Sequence, residues 1–243
     1  FRSLIGIMEL MYDAFDEEYE NAKSKHSSYS AITSYFKRNN KEYICTKCNG
    51  MKKITEFISS HLNDDTARLL LSRSKWPGID MDLAVSCIES RKKLKGKVQE
   101  WYDIPDLIFP ARLSAEQCSS SATARYKAVL AERIVKDFRI ADLTGGLGVD
   151  SWFYSMKASK VLYNEMQDVL CDAARHNFSI LGADNIEVSN NAVGNGSSEV
   201  SPADILSGFR PDIVFMDPAR RGAGGKKVFL IEECTPDVLT LKD

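Results

Sequence analysis

The sequence has little excess charge of either sign. Its 32 basic and 34 acidic residues leave a formal net charge of −2, and its pI is about 6.0. This balance argues against a protein that binds nucleic acid through bulk electrostatics alone, because such proteins carry a strongly basic face or tail. A locally basic surface stays open, so nucleic acid is not excluded as a partner.

Long hydrophobic runs are also missing. No stretch is long enough to span a bilayer, and Glu9 interrupts the apolar start, which makes it a poor signal-peptide core. The six cysteines are scattered rather than arranged as a disulfide framework, a usage typical of reduced thiols. We therefore predict a cytoplasmic protein with no membrane partner. Because residue 1 is Phe, we expect the natural N-terminus to lie upstream.

Three zones of different composition divide the chain. Residues 1–50 are predicted to form an N-terminal extension, helical and closed by the pair Cys45-x-x-Cys48. Residues 51–110 are predicted to form a helical domain, in which Trp76-Pro-Gly78 is a helix stop between two amphipathic patterns. A hydrophobic content of 44% is enough for one ordinary domain with a smaller companion.

From residue 111 to residue 243 the pattern alternates between helix and strand. Helices are predicted over 116–136 and 169–181, and the second ends at Gly182, a residue suited to a helix C-terminus. This alternation predicts an α/β fold with a parallel sheet, in which ligands bind at the carboxyl ends of the strands. The segments predicted as strands are 139–144, 160–165, 185–189 and 212–217.

A glycine-rich turn follows the first predicted strand. It runs Asp142-Leu-Thr-Gly-Gly-Leu-Gly148 and leads into a helix that contains Asp150. Gly146 and Gly148 would let the backbone approach a cofactor closely, and the amides at the start of the helix can receive a carboxylate. A dinucleotide site requires Gly-x-Gly-x-x-Gly, but Ser151 stands where the last glycine belongs.

Polar side chains at the strand ends favour one cofactor over another. A buried carboxylate at Asp142 would oppose a pyrophosphate but would suit the cationic amino group of a methionine moiety. Glu165 lies about 20 residues beyond the glycines and is suited to binding both ribose hydroxyls. Asn191 is placed to contact the adenine edge. Together these positions favour S-adenosylmethionine (SAM), and NAD stays the weaker alternative.

The segment after the fourth strand completes a resemblance. With the glycine turn and Glu165, Asp217-Pro-Ala-Arg220 resembles the motifs of class I SAM-dependent RNA methyltransferases. More narrowly, the chain from Met51 onward resembles an uncharacterised bacterial family whose full-length members carry a C-terminal THUMP-like region. The segments that carry this second resemblance are His61-Leu-Asn-Asp-Asp65, Pro77-Gly-Ile-Asp-Met81, Leu113-Ser-Ala-Glu-Gln-Cys-Ser-Ser120 and Asp217-Pro-Ala-Arg-Arg221.

This resemblance implies a Rossmann-like class I methyltransferase fold over residues 111–243, with SAM as cofactor and RNA, either tRNA or rRNA, as substrate. Such a sheet needs about three more strands than the sequence offers, so we expect it to be incomplete at the C-terminal end. The implied acceptor site comprises Asp217, Pro218 and Arg220. The implied cofactor site comprises Thr123, Asp142, Thr144, Gly145, Gly146, Gly148, Asp150, Glu165, Met166 and Asn191; for Thr123, helix capping by the neighbouring serines is the alternative.

The loop that begins at Asp217, called the acceptor loop below, limits which bases could be methylated but does not identify one. In enzymes of this kind the Asp-Pro-Pro-like loop lies beneath the methyl group, and Asp217 would orient the acceptor for in-line attack. Arg220 replaces the aromatic residue that goes with exocyclic amines, so we expect a guanine or uracil base. An arginine here occurs in uracil-C5 methyltransferases, which need a cysteine nucleophile. Cys234 is a candidate, although its acidic neighbours disfavour a thiolate.

Several weaker sequence features have both a functional and a purely structural interpretation. The basic segment 220–227 would contact RNA phosphates or form a solvated loop, and the basic run 91–97 would contact RNA or, as we favour, end a helix in solvent. Cys45-x-x-Cys48 supplies only half of a zinc site, so we favour two free thiols and predict no metal. The alternatives for the function are a non-catalytic RNA-binding module with the same fold, or a methyltransferase with a small-molecule or protein acceptor.

Overall fold

The computed structural model describes residues 46–194, 199–218, 234 and 236–241. Within these ranges, no helix is both long and apolar enough to cross a membrane. The first part is helical, with α1 (Thr46–Ser60), α2 (Thr66–Leu71), a 3-10 turn (Arg73–Lys75), α3 (Met81–Leu94), α4 (Gln99–Tyr102), α5 (Arg112–Gln117) and α6 (Ser121–Ile134). The second part alternates, with β1 (Arg139–Asp142), α7 (Val149–Ser155), β2 (Lys160–Asn164), α8 (Asp168–Ile180), β3 (Ile186–Ser189), α9 (Pro202–Leu206), β4 (Ile213–Phe215) and α10 (Val238–Leu241).

The described strands form one parallel sheet in the order β3-β2-β1-β4. In the centre, Ala141 of β1 pairs with Leu162 of β2 on one side and with Val214 of β4 on the other. Because β1 lies between β2 and β4, the winding reverses there and opens a crevice at the carboxyl ends of the strands. The four predicted strands are thus confirmed, each slightly shorter than predicted.

The two central strands are covered on both faces. Successive strand residues point to opposite sides of a sheet, so Ile140 packs with α6 and α7 while Ala141 packs with Phe209 beyond α9. Tyr163 of β2 packs against α8 through Phe178. Burial on both faces explains why the inner positions of both strands are apolar, namely Ile140 and Ala141 in β1 and Val161, Leu162 and Tyr163 in β2.

The helix predicted over 116–136 is two helices in the structure. Ser120 is extended, with φ −73° and ψ 159°, and its hydroxyl accepts a hydrogen bond from the Thr123 N–H at 3.2 Å. A serine in this position satisfies an N–H that the helix leaves without a partner, and so favours a new helix start. The helix predicted over 169–181 is confirmed as α8, and Gly182 after it has a φ of 66°.

Arg91 corrects the interpretation of the basic run 91–97. The run was predicted to end a helix in solvent or to contact RNA. Neither expectation holds for Arg91, which is only 2% exposed, whereas Lys92, Lys93 and Lys95 are exposed where α3 ends. Its guanidinium donates to the carbonyl oxygens of Tyr102, Ile104, Pro105 and Leu107 at 2.7 to 3.0 Å. Burial lowers the pKa of Arg91. The connector before α5 has few backbone partners of its own, and this side chain supplies them.

A second polar anchor joins this connector to α8. The buried side-chain amide of Asn177 both accepts from the N–H and donates to the carbonyl of Ile108, each at 2.8 Å. Apolar packing also continues across residue 110, since Trp101 and Phe109 share one core with Ile140. The division into domains at residue 110 stays a prediction, and the side chains before and after it pack together.

We expect Arg91→Met to lower the free energy of unfolding by about 3 kcal/mol or more, because four carbonyl groups lose a buried charged donor. Urea unfolding measures the change. Lys93→Met is the matched control, since Lys93 is exposed in a surface ion pair with Glu116, and it should change the free energy by no more than about 0.5 kcal/mol. Equal effects of the two substitutions would contradict the structural role of Arg91.

Candidate functional site

A cavity of about 630 Å³ lies at the carboxyl ends of the strands. Its wall is formed mainly by the segments that directly follow β1, β2, β3 and β4. The end of α5 and the residues just after it also contribute, as do Glu199 and Pro236. The volume is in the range of small-molecule and cofactor sites. The ends of the strands therefore converge on one binding space, as the sheet topology requires.

Most of the site residues predicted from the sequence line this cavity. Asp142 is buried and Thr123 is exposed, and neither is in the wall. Arg220, the rest of the basic segment 220–227, and Cys45 lie outside the described residues. The binding roles themselves stay predictions. The predicted residues found in the wall are Thr144, Gly145, Gly146, Gly148, Asp150, Glu165, Met166, Asn191, Asp217 and Pro218.

The turn after β1 needs glycine for two different reasons. Gly146 and Gly148 have φ values of 53° and 90°, in the left-handed region where only glycine is unstrained. At Gly145 the reason is space, because a Cβ there would lie 2.3 Å from the ring of Tyr163. The Tyr163 hydroxyl also donates to the Gly146 carbonyl at 2.6 Å. Tyr163, which sequence reasoning missed, thus holds the turn against β2.

Glu165 is held rigidly at the cavity wall. Its Oε2 accepts from the N–H of Gly146 and its Oε1 from the N–H of Gln167, each at 2.9 Å. Its carbonyl accepts from Asn190 Nδ2 at 2.8 Å. A carboxylate has about four acceptor positions, so two remain for the hydroxyl groups of a ligand.

Asp142 lies beneath the turn rather than in the cavity wall. Ser151 Oγ donates to its Oδ2 at 2.7 Å, and the N–H of Thr144 donates to its Oδ1 at 3.1 Å. Burial, above all, raises the pKa of Asp142 to about 7; Asp150 adds to the rise, while the two hydrogen bonds and Lys127 oppose it. The serine that replaces the last glycine of a dinucleotide motif therefore holds this carboxyl.

Asn164 connects three strand ends and was also missed. This buried side chain donates from Nδ2 to the carbonyls of Leu143 and Asn191 at 3.2 and 3.0 Å. Its Oδ1 accepts from Asn191 Nδ2 at 3.3 Å, and the same Nδ2 donates to Ser189 Oγ at 2.6 Å. A polar residue within an otherwise apolar buried strand was the signal that could have indicated it.

The acceptor side of the cavity contains an exposed carboxylate on a fixed loop. The side chain of Asp217 is 60% exposed, and its backbone N–H donates to Thr144 Oγ1 at 2.7 Å. Lys127 Nζ lies 4.0 Å from Asp217 Oδ2 and 2.9 Å from Asp150 Oδ2. Lys127 was not predicted, because only the tertiary fold brings α6 beside the end of β4.

Two further residues considered from the sequence, Thr123 and Cys234, do not line the cavity. Thr123 lies in the first turn of α6 with its Oγ1 3.0 Å from Ser120 Oγ, so its contacts are those of the helix-capping alternative. Residues 117–119, just before α6, line the cavity instead. Cys234 is half-buried and is not in the cavity wall, whereas Pro236 is. A nucleophilic role for Cys234 stays a prediction.

No protein-family model matches the sequence, and no curated protein sequence matches it. Among solved structures, a protein from Porphyromonas gingivalis W83, described provisionally as a methyltransferase, is 30% identical over 77% of this chain and 44% of its own, with a TM-score of 0.59. An rRNA methylase from Streptococcus thermophilus is 23% identical over 26% of this chain and 39% of its own, with a TM-score of 0.25. A provisionally described RNA methyltransferase from Pyrococcus horikoshii is 22% identical over 44% of this chain and 48% of its own, with a TM-score of 0.31.

The chain therefore spans less than half the length of the Porphyromonas protein. The similarity to that structure extends over most of the described part of this chain and, with the sheet order, confirms the predicted α/β, Rossmann-like fold of the methyltransferase type.

We expect Asp142→Asn to change how stability depends on pH. The folded-state pKa of about 7 exceeds the ordinary value of 3.8, so between these values the folded protein keeps a proton that the unfolded chain releases. This group therefore lowers the free energy of unfolding as pH rises from about 4 to about 7, with no further change above. Asn cannot titrate. The free energy of unfolding of the wild type minus that of Asp142→Asn should therefore fall as pH rises from about 4 to about 7.

Urea unfolding at intervals between about pH 4 and pH 8 measures this difference. Asp212→Asn, which removes an exposed carboxylate that accepts from the Arg139 N–H, gives the baseline for the substitution. If the free energies of unfolding of the wild type and of Asp142→Asn differed by the same amount at every pH, the raised pKa of Asp142 would be contradicted.

We expect Gly145→Ala to destabilise the protein by about 2 kcal/mol or more, because the new methyl group displaces the buried Tyr163 ring. Gly208→Ala is the control, since a Cβ there meets nothing within 4 Å, and it should be neutral or stabilise by up to about 1 kcal/mol. Thermal unfolding of both variants tests this. A Gly145→Ala protein as stable as the control would show that the close approach is not required.

Proposed function

We propose that this protein is a SAM-dependent methyltransferase that acts on a base of a structured RNA. The observation that carries the proposal is the charge of the cavity beside the glycine turn, whose wall includes Asp150, Glu165, Glu199 and Asp217. SAM has a sulfonium and an ammonium group against a single carboxylate, so an acidic cavity attracts it. The similarity to the Porphyromonas protein, over most of this chain, supports the same activity.

The hydrogen bonds of the turn argue against a dinucleotide. In a dinucleotide site the amides of the glycine turn and the following helix receive the pyrophosphate. Here the N–H of Gly146 already donates to Glu165 Oε2, and Asp142 lies directly beneath the turn. A pyrophosphate would have to displace one carboxylate and approach another. The same arrangement suits a ribose at Glu165 and the cationic methionine end of SAM near Asp142.

Other residues of the wall would contact the remaining parts of the cofactor. Met166 and Asn191 line the cavity together with Glu165, and the adenine would lie beside them. Thr144 and Gly148 would face the methionine moiety, and the N-terminal end of α7 would receive its carboxylate. When bound, SAM supplies an electrophilic methyl group.

On the acceptor side the protein's role is to position. Asp217 presents an exposed carboxylate that can accept hydrogen bonds from the polar edge of a base, and Thr144 fixes the Asp217 backbone through the bond to its N–H. Pro218 restricts the loop. Holding the acceptor atom in line with the methyl group lowers the activation barrier mainly through orientation. Arg220 would contact the base or a neighbouring phosphate.

The choice of RNA rests on the motif Asp217-Pro-Ala-Arg220 and on the family resemblance. The proposed acceptor is a guanine or uracil base of tRNA or rRNA. This choice is made because Arg220 stands where enzymes that methylate exocyclic amines have an aromatic residue. A cytoplasmic location and a THUMP-like region C-terminal to this chain belong to the same proposal.

Calorimetry tests the cofactor. We expect the protein to bind SAM and its demethylated product, S-adenosylhomocysteine, and Glu165→Gln to bind both at least about tenfold more weakly, because an amide cannot accept two backbone N–H groups and a ribose together. Glu187→Gln is the control, since Glu187 is exposed and pairs with Lys160 at 2.9 Å. If NAD raised the thermal unfolding temperature of the protein and SAM did not, the cofactor assignment would be overturned.

Transfer of tritiated methyl groups from SAM to bulk RNA by the full-length protein tests the acceptor. Label in nuclease-sensitive material supports an RNA substrate. Label that resists nuclease would identify a protein or small-molecule acceptor. SAM binding without transfer to any of these would favour the non-catalytic RNA-binding module.

A further inference from the structure

Lys127, in the second turn of α6, places its ammonium group among four residues from three separate segments. Its Nζ donates to Asp150 Oδ2 at 2.9 Å and to Ser119 Oγ at 3.0 Å. It lies 4.0 Å from Asp217 Oδ2 and 4.7 Å from the centre of the Phe215 ring. The side chain is 23% exposed. A partly buried cation with this many contacts has few other positions to adopt.

These contacts lie on both sides of the cavity. Ser119 and Asp150 belong to the wall beside the glycine turn, where the cofactor is proposed, and Asp217 belongs to the wall on the acceptor side. Lys127 itself is not in the wall. We therefore expect its effect on a bound molecule to pass mainly through the carboxylates that it contacts.

The ammonium group also balances a concentration of negative charge. Burial, and then Asp142, Asp150 and Asp217, raise the pKa of Tyr154, so the three carboxylates act on one region. Asp150 Oδ1 is buried and has no hydrogen-bond partner within the described residues. The Asp150 carboxylate therefore depends on the partners of its Oδ2, which are Ser119 and Lys127.

The lysine is also fixed relative to the end of β4. The ring of Phe215, the last residue of that strand, lies against the ammonium group, and cations bind favourably over aromatic faces. Asp217 follows two residues later, on the loop whose N–H is bound by Thr144. Lys127 thus has a fixed distance to the acceptor loop as well as to the first turn of α7.

We propose that Lys127 is a positioning residue for methyl transfer. Its ammonium group, held by Ser119 and Phe215, orients Asp150 on the cofactor side and Asp217 on the acceptor side, and so aligns the two halves of the site. The inference rests on the proposed function and adds a residue to its machinery.

Lys127→Met removes the charge and keeps most of the volume. We expect the rate of methyl transfer at saturating SAM to fall by about 10- to 100-fold, as for a misaligned acceptor, and Lys127→Arg, which keeps the charge, to recover most of the rate. Affinity for SAM should also fall. Lys157→Met is the matched control, because it breaks an ion pair with Glu132 on α6, outside the cavity wall, and should leave the rate and the SAM affinity unchanged.

Double substitutions separate positioning from general structural damage. If Lys127 acts through Asp217, Lys127→Met should slow transfer little further in an Asp217→Asn background. Likewise, its effect on SAM affinity should disappear in an Asp150→Asn background. A merely structural role predicts that the fold-changes multiply instead. Thermal unfolding of each variant confirms that the proteins compared are folded.

The outcomes distinguish this inference from the proposed function. A wild type that binds no SAM overturns both. A wild type that binds and transfers, with Lys127→Met equal to Lys157→Met or with multiplying fold-changes, overturns the inference alone. If the wild type binds SAM but transfers nothing to RNA, the substrate proposal fails. The role of Lys127 is then tested by SAM affinity alone, and it is overturned if the fold-changes caused by Lys127→Met and Asp150→Asn multiply in the double variant.

Discussion

The attachment of the glycine turn to the end of β2 is the constraint on which the candidate site depends. Three consecutive residues make it. The Tyr163 hydroxyl donates to the Gly146 carbonyl, the Asn164 carbonyl accepts from the N–H of Gly145, and Glu165 Oε2 accepts from the N–H of Gly146, at 2.6 to 2.9 Å. Because β2 is covered on both faces, this connection fixes the turn to the most buried part of the fold. Its tightness is what excludes a side chain at Gly145.

The same strand end sets the geometry of the other cavity walls. Side chains at 163 and 165 point to one face of the sheet and the side chain at 164 to the other, so consecutive residues serve different walls. Asn164 reaches the carbonyls of Leu143 and Asn191, which follow β1 and β3. The cofactor side is therefore assembled by hydrogen bonds from one strand, and the acceptor side joins it through Thr144 and the N–H of Asp217.

What the sequence predicted well is what depends on local order along the chain. The strands, the glycine turn and the position of Glu165 just after β2 are encoded in spacing and in hydrophobic pattern, and parallel topology brings the strand ends together without further information. The break at Ser120 could not be predicted from periodicity, since a serine hydroxyl competes with the helix for an N–H and either outcome fits the pattern. Arg91 was misjudged because a basic run contains no sign that one guanidinium will satisfy four carbonyls of a distant connector. Lys127 and Asn177 were missed because their contacts with Asp150, Asp217 and Ile108 join segments that are far apart in the chain.

The charge of the cavity also bears on how an RNA substrate would be bound. A cavity walled by carboxylates attracts a cationic cofactor but repels phosphates, and the chain as a whole is close to neutral. Affinity for RNA comes largely from contacts between basic side chains and the phosphate backbone. In an RNA methyltransferase of this design those contacts must therefore lie outside the cavity, and only the target base, which carries no charge, would enter it. Enzymes that modify a base commonly take it out of the stack in this way. Under the proposed function, the basic segment 220–227, which follows the acceptor loop directly in the sequence, is the candidate for these phosphate contacts.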